Sequence, residues 1–245
     1  MRLTIVHLYS GEMNTYGDSG NVAILVARAK WRGFKPAVVR VSIGQPFDFS
    51  RADIVVVGGG QDRAQTLVAP DLVRRSRSLH RAAEEGVVML AICGAYQLFG
   101  NRFVTLTGEA IPGIGIFDME TTGSRRRMIG NILVDSPYGQ LVGFENHSGE
   151  TALGEGLKPL GQVVKGYGND GASGREGAVY RNVFGTYLHG PLLAKNPFFA
   201  DMLLTRALHR RFGPTVLQPL DDELAASARR EIVGRVLGKA ALGAA

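Results

Sequence analysis

Cysteine is almost absent from this sequence. Cys93 is the only one in 245 residues, so no disulfide can form within the chain, and a reducing compartment, the cytoplasm, is expected. No run of about 18 consecutive apolar residues occurs, which removes any expectation of a membrane-spanning helix. Met1 to Tyr9 lacks the basic start, long apolar stretch and small-residue cleavage site of a signal peptide, and reads as a strand instead. Zinc-finger spacing, a helix-turn-helix signature and an aromatic-rich basic sheet are all missing. The net charge of +6 and pI of 9.7 therefore read as a scattered basic surface, suited to an acidic partner or substrate, and no nucleic-acid role is expected. Gly58-Gly59-Gly60 is not followed by Gly-Lys-Ser/Thr, so it is no P-loop. No internal repeat or separating linker is present, and no metal site is expected.

What is present is an ordinary globular composition, 45% apolar and 20% charged, in a chain long enough to bury a substantial core. Apolar, β-branched runs predict buried strands at Leu3 to Tyr9, Ala37 to Val41, Ala52 to Val57 and Val87 to Ile92. A polar loop, Ser10 to Asn21, and a helix, Val22 to Trp31, follow the first strand. A long helix follows Gly60 and is stopped by Gly86. This alternation implies an α/β fold with a mostly parallel sheet and helices on both faces. After Phe103 short strand-like pieces (Ile114 to Met119, Met128 to Val134, Val142 to Glu145, Val163 to Lys165, Ala178 to Arg181) suggest antiparallel extensions of that sheet. Gly166 to Gly177 reads as a mobile loop. Helices are expected at Phe198 to Arg211 and Asp221 to Leu237, with a frayed tail at Gly238 to Ala245. The domain expectation is one unit over 1–245, with a core of about 3–212 and a C-terminal helix and tail at 213–245.

The lone cysteine ends the apolar strand and is followed by Gly94-Ala95-Tyr96-Gln97. A strand that runs through Cys-Gly into a helix makes the sharp turn of a nucleophile elbow at the C-terminal edge of the sheet. The helix start favours a thiolate, and Gly94 leaves an N–H free for a developing oxyanion. The bland alternative is a cysteine that only fills space, since Cys is among the most buried residue types. Among the five histidines, His7 sits in a strand as a satisfied core group, and His80 and His209 lie on polar, solvated helix faces. His147 and His189 each follow a short strand, and residue type and position alone leave both open as the base.

Ile92-Cys93-Gly94-Ala95-Tyr96-Gln97 resembles the elbow of class I glutamine amidotransferases. Gly185-Thr186-Tyr187-Leu188-His189-Gly190-Pro191 resembles the histidine motif of their CobB/CobQ-like branch, the one containing cobyric acid synthases. Asn14 to Asn21, Gly58 to Asp62, Arg127 to Asn131 and Gly143 to His147 are similar to segments of the GatD family, the glutaminase subunits of lipid II isoglutaminyl synthases. The resemblance covers roughly Leu3 to Phe212. It implies a three-layer class I glutamine amidotransferase fold and a subunit that hydrolyses L-glutamine with Cys93 as nucleophile and His189 as base. It also implies oxyanion or backbone contacts from Gly59, Gly60 and Gly94, and substrate contacts from Arg127 and Gln97. A guanidinium fork matches the α-carboxylate of glutamine, although Arg125 and Arg126 beside it make a solvated charge run an equal reading of the triplet. The ammonia would pass to a Mur-ligase-like (MurT-type) synthetase in a heterodimer, which would amidate the D-glutamate of lipid II. No cofactor is expected in this chain; ATP and metal belong to the partner.

Many class I enzymes place a Glu two residues after the histidine, where this sequence has Pro191. A carboxylate from the partner, or a backbone carbonyl, is expected to orient the imidazole instead. Rival readings are a glutaminase for another acceptor such as a cobyric-acid-type corrinoid, a Cys-dependent hydrolase or redox-responsive protein of related fold, and a non-enzymatic subunit. The start of the chain at the first sheet strand, without a P-loop, counts against a fused synthetase.

Overall fold

The computed structural model describes residues 1–238, so the expectation for the tail beyond Gly238 lies outside the described residues. In chain order the first elements are β1 (Arg2–Leu8), α1 (Ser19–Trp31), β2 (Lys35–Val41), β3 (Ile54–Val57), α2 (Asp62–Glu84), β4 (Val88–Ile92) and α3 (Gly94–Leu98). Next come β5 (Arg102–Val104), β6 (Ala110–Pro112), β7 (Met119–Ser136), β8 (Gly139–Leu153), β9 (Gly161–Lys165) and β10 (Arg175–Glu176). The chain continues through β11 (Ala178–Tyr180), β12 (Val183–Thr186), α4 (Leu192–Lys195), α5 (Pro197–Phe212) and α6 (Glu223–Val236).

The first sheet has the order β11-β12-β4-β3-β1-β2, and every pairing in it is parallel except that of β11 with β12. Successive strand residues point to opposite faces, and both faces are apolar. Val6, Leu8, Val55, Val57, Met89 and Ala91 face one core, which they share with Val68, Leu72 and Leu79 of α2. Leu3, Ile5, Ile54, Val56, Val88, Leu90 and Ile92 face the other, with Val22 and Leu25 of α1 and Leu203 of α5. Burial on both faces, at about 1.5–3 kcal/mol per large aliphatic side chain, fixes the register of these strands and the places where they end.

The antiparallel strands do not extend this sheet, as the sequence reading expected, apart from β11. They form a second sheet of order β10-β9-β7-β5-β6, with β8 paired to β7. Its centre is the long hairpin β7–β8, whose polar run Thr121 to Arg127 breaks the alternation that marks a strand; pairing with β8 up to Gly123 and again from Met128 flanks it. The register jumps between Gly123 and Met128, leaving 124–127 bulged against Ser148. Ile114 to Met119 is not a strand before Met119: Ile114 and Phe117 are buried, and their N–H groups bond to Leu98 and Phe99.

The expected mobile loop after β9 is pinned. Tyr167 and Gly168 donate N–H bonds of 2.7 and 2.9 Å to the buried Glu145 carboxylate, and Asn169 bonds Gly177 and the Tyr96 hydroxyl. The α6 helix buries none of its residues, but Asp222 just before it shares the buried Arg28 guanidinium with Asp201 of α5. A backbone bridge ties the second sheet to the edge of the first that carries the site. His189, just past β12, exchanges hydrogen bonds of 3.2 and 2.8 Å with Phe144 of β8.

Candidate active site

The fully buried β4 delivers Cys93 to the sheet edge, where its N–H still bonds Thr186 of β12 at 2.8 Å. Cys93 then takes φ 50°, ψ −106°, a conformation L-residues avoid at a cost of about 1–3 kcal/mol, and α3 starts at the next residue. Such strain persists only where the surroundings over-determine it. Here the strand is locked on both faces and the turn is closed by Gly94. A Cβ on Gly94 would lie 2.5 Å from the Gly60 carbonyl oxygen and 2.9 Å from its nitrogen, so the strand-end turns of β3 and β4 touch only because this residue has no side chain. The first N–H groups of a helix have no partner within it, so Gly94 points an unused donor at the same edge.

His189 follows β12 into this edge and is fully buried. Its Nδ1 lies 3.2 Å from Oδ1 of Asp18, also fully buried, which comes from the loop before α1, 171 positions away in the chain. The second carboxylate oxygen, Oδ2, accepts the Gly59 N–H at 2.7 Å, and that bond fixes the carboxylate. Three side chains converge on Gly59. A Cβ there would meet His189 Cε1 at 2.8 Å, Asp18 Oδ2 at 3.2 Å and Cys93 Cβ at 3.3 Å. Nε2 of His189 is buried and makes no aligned hydrogen bond among the described residues, a looseness common in unliganded acid–base sites. Burial by itself lowers the pKa of this imidazole; negative charge at Cys93 and the hydrogen-bonded charge of Asp18 outweigh it and push it up to about 10. The environment therefore favours the protonated imidazole beside Asp18 and Cys93.

Beside Cys93 opens a cavity of about 370 Å³, near the small end of the range for small-molecule sites. Thr15, Tyr16, Gly60, Gln61, Gln65, Gln97, Arg127, Asn146 and His147 are among the residues lining it. Of the Arg125–Arg127 triplet it is Arg127 that reaches the wall; the bulge in β7 sets it there, and its Nε donates to Asn146 Oδ1 at 2.6 Å. Arg126 instead lies over the Tyr167 ring, 5.1 Å from its centroid.

Several expectations change. The carboxylate facing His189 comes from this chain, not from a partner or a backbone carbonyl. Pro191, in the usual Glu position, instead packs on α1, where a Cβ on Gly20 would come 2.2 Å from Pro191 Cγ. Gly59 cannot serve an oxyanion, since Asp18 takes its N–H; Gly60 makes no backbone N–H bond among the described residues. Gln97 lines the cavity, but its amide is held by Gln65 at 2.9 Å and Tyr187 at 3.2 Å, which makes it a brace in the wall. His147 lines the cavity as well. Its Nδ1 faces the Gly149 carbonyl oxygen at 2.9 Å and its ring stacks on Tyr187 at 3.6 Å. His7 is in the core but its Nε2 has no partner among the described residues; His80 and His209 each bond a backbone carbonyl at 2.6 Å instead of standing free in water.

Sequence reasoning missed Asp18, Tyr16 and Asn146. A signal for Asp18 existed: it is a carboxylate in the loop leaving the first parallel strand, at the edge where open α/β sheets bind ligands.

An elbow cysteine, a buried histidine and a carboxylate at the C-terminal edge of a parallel sheet define a class I glutamine amidotransferase fold. Solved structures of 11–15% identity share that fold. They include a glutamine amidotransferase (TM-score 0.56, 82% of this chain and 98% of that one). Another is the glutaminase domain of Trypanosoma brucei CTPS with bound acivicin (TM-score 0.56, 88% and 96%). Residues 4–197 match the CobB/CobQ-like glutamine amidotransferase domain, and the chain belongs to that family. It is 39% identical to the Staphylococcus aureus (strain N315) lipid II isoglutaminyl synthase (glutamine-hydrolyzing) subunit GatD, over 95% of this chain and 96% of that protein. Identity is also 39% with the subunit of the same name from Streptococcus pneumoniae (strain ATCC BAA-255 / R6), over 98% and 93%. A probable cobyric acid synthase of Methanothermobacter thermautotrophicus is 35% identical over 60% of this chain but only 31% of its own length.

Proposed function

We propose that this chain is the glutaminase subunit of a lipid II-amidating ligase and that it hydrolyses L-glutamine at Cys93 and His189. The sulfur of Cys93 attacks the side-chain amide carbon, and His189 Nε2 takes the thiol proton and returns it to the departing ammonia. N–H groups of Gly60 and Gly94 receive the developing oxyanion, each such donor lowering the barrier by about 3–4 kcal/mol. Water then opens the thioester to give glutamate, with His189 as base. Asp18 holds the ring tautomer that leaves Nε2 toward the sulfur and favours the imidazolium. Arg127 binds the α-carboxylate.

One observation carries the chemistry: the strained Cys93 elbow, His189 and Asp18 packed around Gly59 beside a small-molecule cavity. The acceptor rests on the two GatD relatives, matched over nearly their whole lengths. On this reading ammonia passes to a Mur-ligase-like (MurT-type) partner in a cytoplasmic heterodimer. The partner supplies ATP and metal and converts the D-glutamate of the lipid II stem peptide to D-isoglutamine. No helix among the described residues is long and apolar enough to cross a membrane.

The test is ammonia and glutamate release by the full chain, alone and with the protein it co-purifies with, identified by mass spectrometry. Cys93→Ala is expected to abolish turnover without changing the melting temperature by more than a few degrees; retained turnover sinks the assignment. Capture of a corrinoid-pathway enzyme in place of a Mur-ligase-like one overturns the acceptor and leaves the chemistry standing.

A further inference from the structure

Tyr16 takes no part in the reaction above, yet the chain holds it in an unfavourable conformation at φ 58°. Its neighbours are fixed on both sides by one glycine: Thr15 donates its N–H to Gly59 O at 3.0 Å, and Gly59 donates its own to Asp18 Oδ2 at 2.7 Å. Between these pins the Tyr16 ring stands edge-on to His189, with centroids 5.0 Å apart, while remaining 45% exposed at the cavity mouth. From the opposite wall Asn146 Nδ2 bonds the Tyr16 hydroxyl, and Asn146 Oδ1 accepts from Arg127 Nε.

This chain of bonds has a fixed polarity. Arginine has only donors, so the amide oxygen must face Arg127 and the amide nitrogen must face Tyr16. The phenol therefore accepts from Asn146, and its own proton remains to be given. The terminal nitrogens of Arg127 also make no hydrogen bond among the described residues. The mouth thus presents a hydroxyl donor and a guanidinium fork, linked by one amide, with no acceptor supplied. A carboxylate is the ligand group whose charge and two oxygens satisfy them together.

We propose that Tyr16 and Arg127, tied by Asn146, clamp the α-carboxylate of the substrate, and that filling the clamp holds the Tyr16 ring over His189. Recognition at the mouth is thereby coupled to the cover of the reacting imidazole, and Tyr16 serves both: its hydroxyl binds the carboxylate and its ring covers His189. The inference rests on the glutaminase reading. It adds that an amide lacking an α-carboxylate reacts slowly as well as binding weakly.

Full-length wild type, Tyr16→Phe and Asn146→Ala are compared on glutamine and on 4-aminobutanamide, which is glutamine without its α-carboxylate. The enzyme is used at a concentration high enough to read slow ammonia release. Each variant is expected to lower kcat for glutamine about tenfold, raise its KM about threefold, and leave both constants for the analogue unchanged. Alkylation of Cys93 by iodoacetamide in the unliganded protein is expected to stay within twofold of wild type. Equal losses on both substrates, slowed alkylation, a change in KM alone, or no change at all would each overturn the coupling. A wild type that releases no ammonia from glutamine defeats the underlying reading, and a Tyr16→Phe that behaves like wild type on an active enzyme defeats only this one.

Discussion

The parallel sheet buries both faces under helices and carries Cys93 and His189 at one edge, whereas the second sheet offers Arg127, Asn146 and His147 from an antiparallel hairpin. The first places its groups by strands whose residues have almost no freedom to move. The second places Arg127 by a break in register, on a segment exposed to solvent. Reacting atoms need positions held to a fraction of an ångström, and a doubly covered strand supplies that. A long cationic side chain reaching for a carboxylate tolerates more slack. The difference implies that damage on the first sheet falls on kcat and that loss of Arg127 from the second falls mainly on KM, whereas Asn146, bonded to Tyr16, acts on kcat as well.

Asp18→Asn is the sharpest way to break this division and carries the largest effect. It keeps an acceptor for the Gly59 N–H but removes the charge opposite Nδ1, so kcat should fall by about 10²- to 10⁴-fold with KM changed little. The carboxylate favours the protonated ring, so its loss should also move the alkaline limb of the pH–rate profile downward from near pH 10. A profile that stays in place would show that Asp18 only supports the loop. Arg127→Ala should act on the other side of the comparison, raising KM by about 10- to 100-fold, the worth of one charge-assisted hydrogen bond of about 1.5–3 kcal/mol. Its effect on kcat should not exceed that of Tyr16→Phe. Steady-state ammonia release measures both.

The smallest effect on turnover lies at the seam between the sheets, where the change is one of stability. Glu176 of β10 accepts from Thr186 Oγ1 at 2.9 Å and Tyr187 N at 2.7 Å, across to the strand that carries His189. Burial raises its pKa from 4.5 to about 8, with the negative charge of Glu145 adding to the shift against the two hydrogen bonds. The folded protein then keeps a proton that the unfolded chain releases above pH 4.5, so this group costs stability progressively as the pH rises from about 4.5 to about 8, and no further beyond that. Glu176→Gln should therefore melt increasingly above wild type across that interval and hold a constant advantage at higher pH. A constant difference at all pH values would contradict a buried, protonated carboxyl.

Much of the first sheet was legible because its strands are short, apolar on both faces and stopped by glycine. β1, β3 and β4 lie within a few residues of the runs that predicted them, and the Cys-Gly elbow is a local signal. In the second sheet the apolar parts of β7, β8 and β9 were legible as strands, but their assembly into a separate sheet was not. Thr121 to Arg127 carries no apolar alternation, and the pairing with β8 that flanks its bulge, up to Gly123 and again from Met128, is a contact between distant segments that no window of sequence contains. The same limit applies to the site. The missing Glu after His189 was visible as Pro191, but only the position of Asp18, in the loop leaving the first parallel strand, hinted at its replacement, and the pairing itself spans 171 positions.

By itself, then, the order of residues determined the strands of the parallel sheet, the sharp turn at its single sulfur and the chemical class of its neighbours, because those follow from short-range sterics and hydrophobic periodicity. Tertiary structure alone decided which carboxylate meets the imidazole, which glycine N–H is spent on holding it, and which of three adjacent arginines reaches the cavity. Those outcomes depend on where packed layers bring remote segments together, and burial, not sequence proximity, sets that distance.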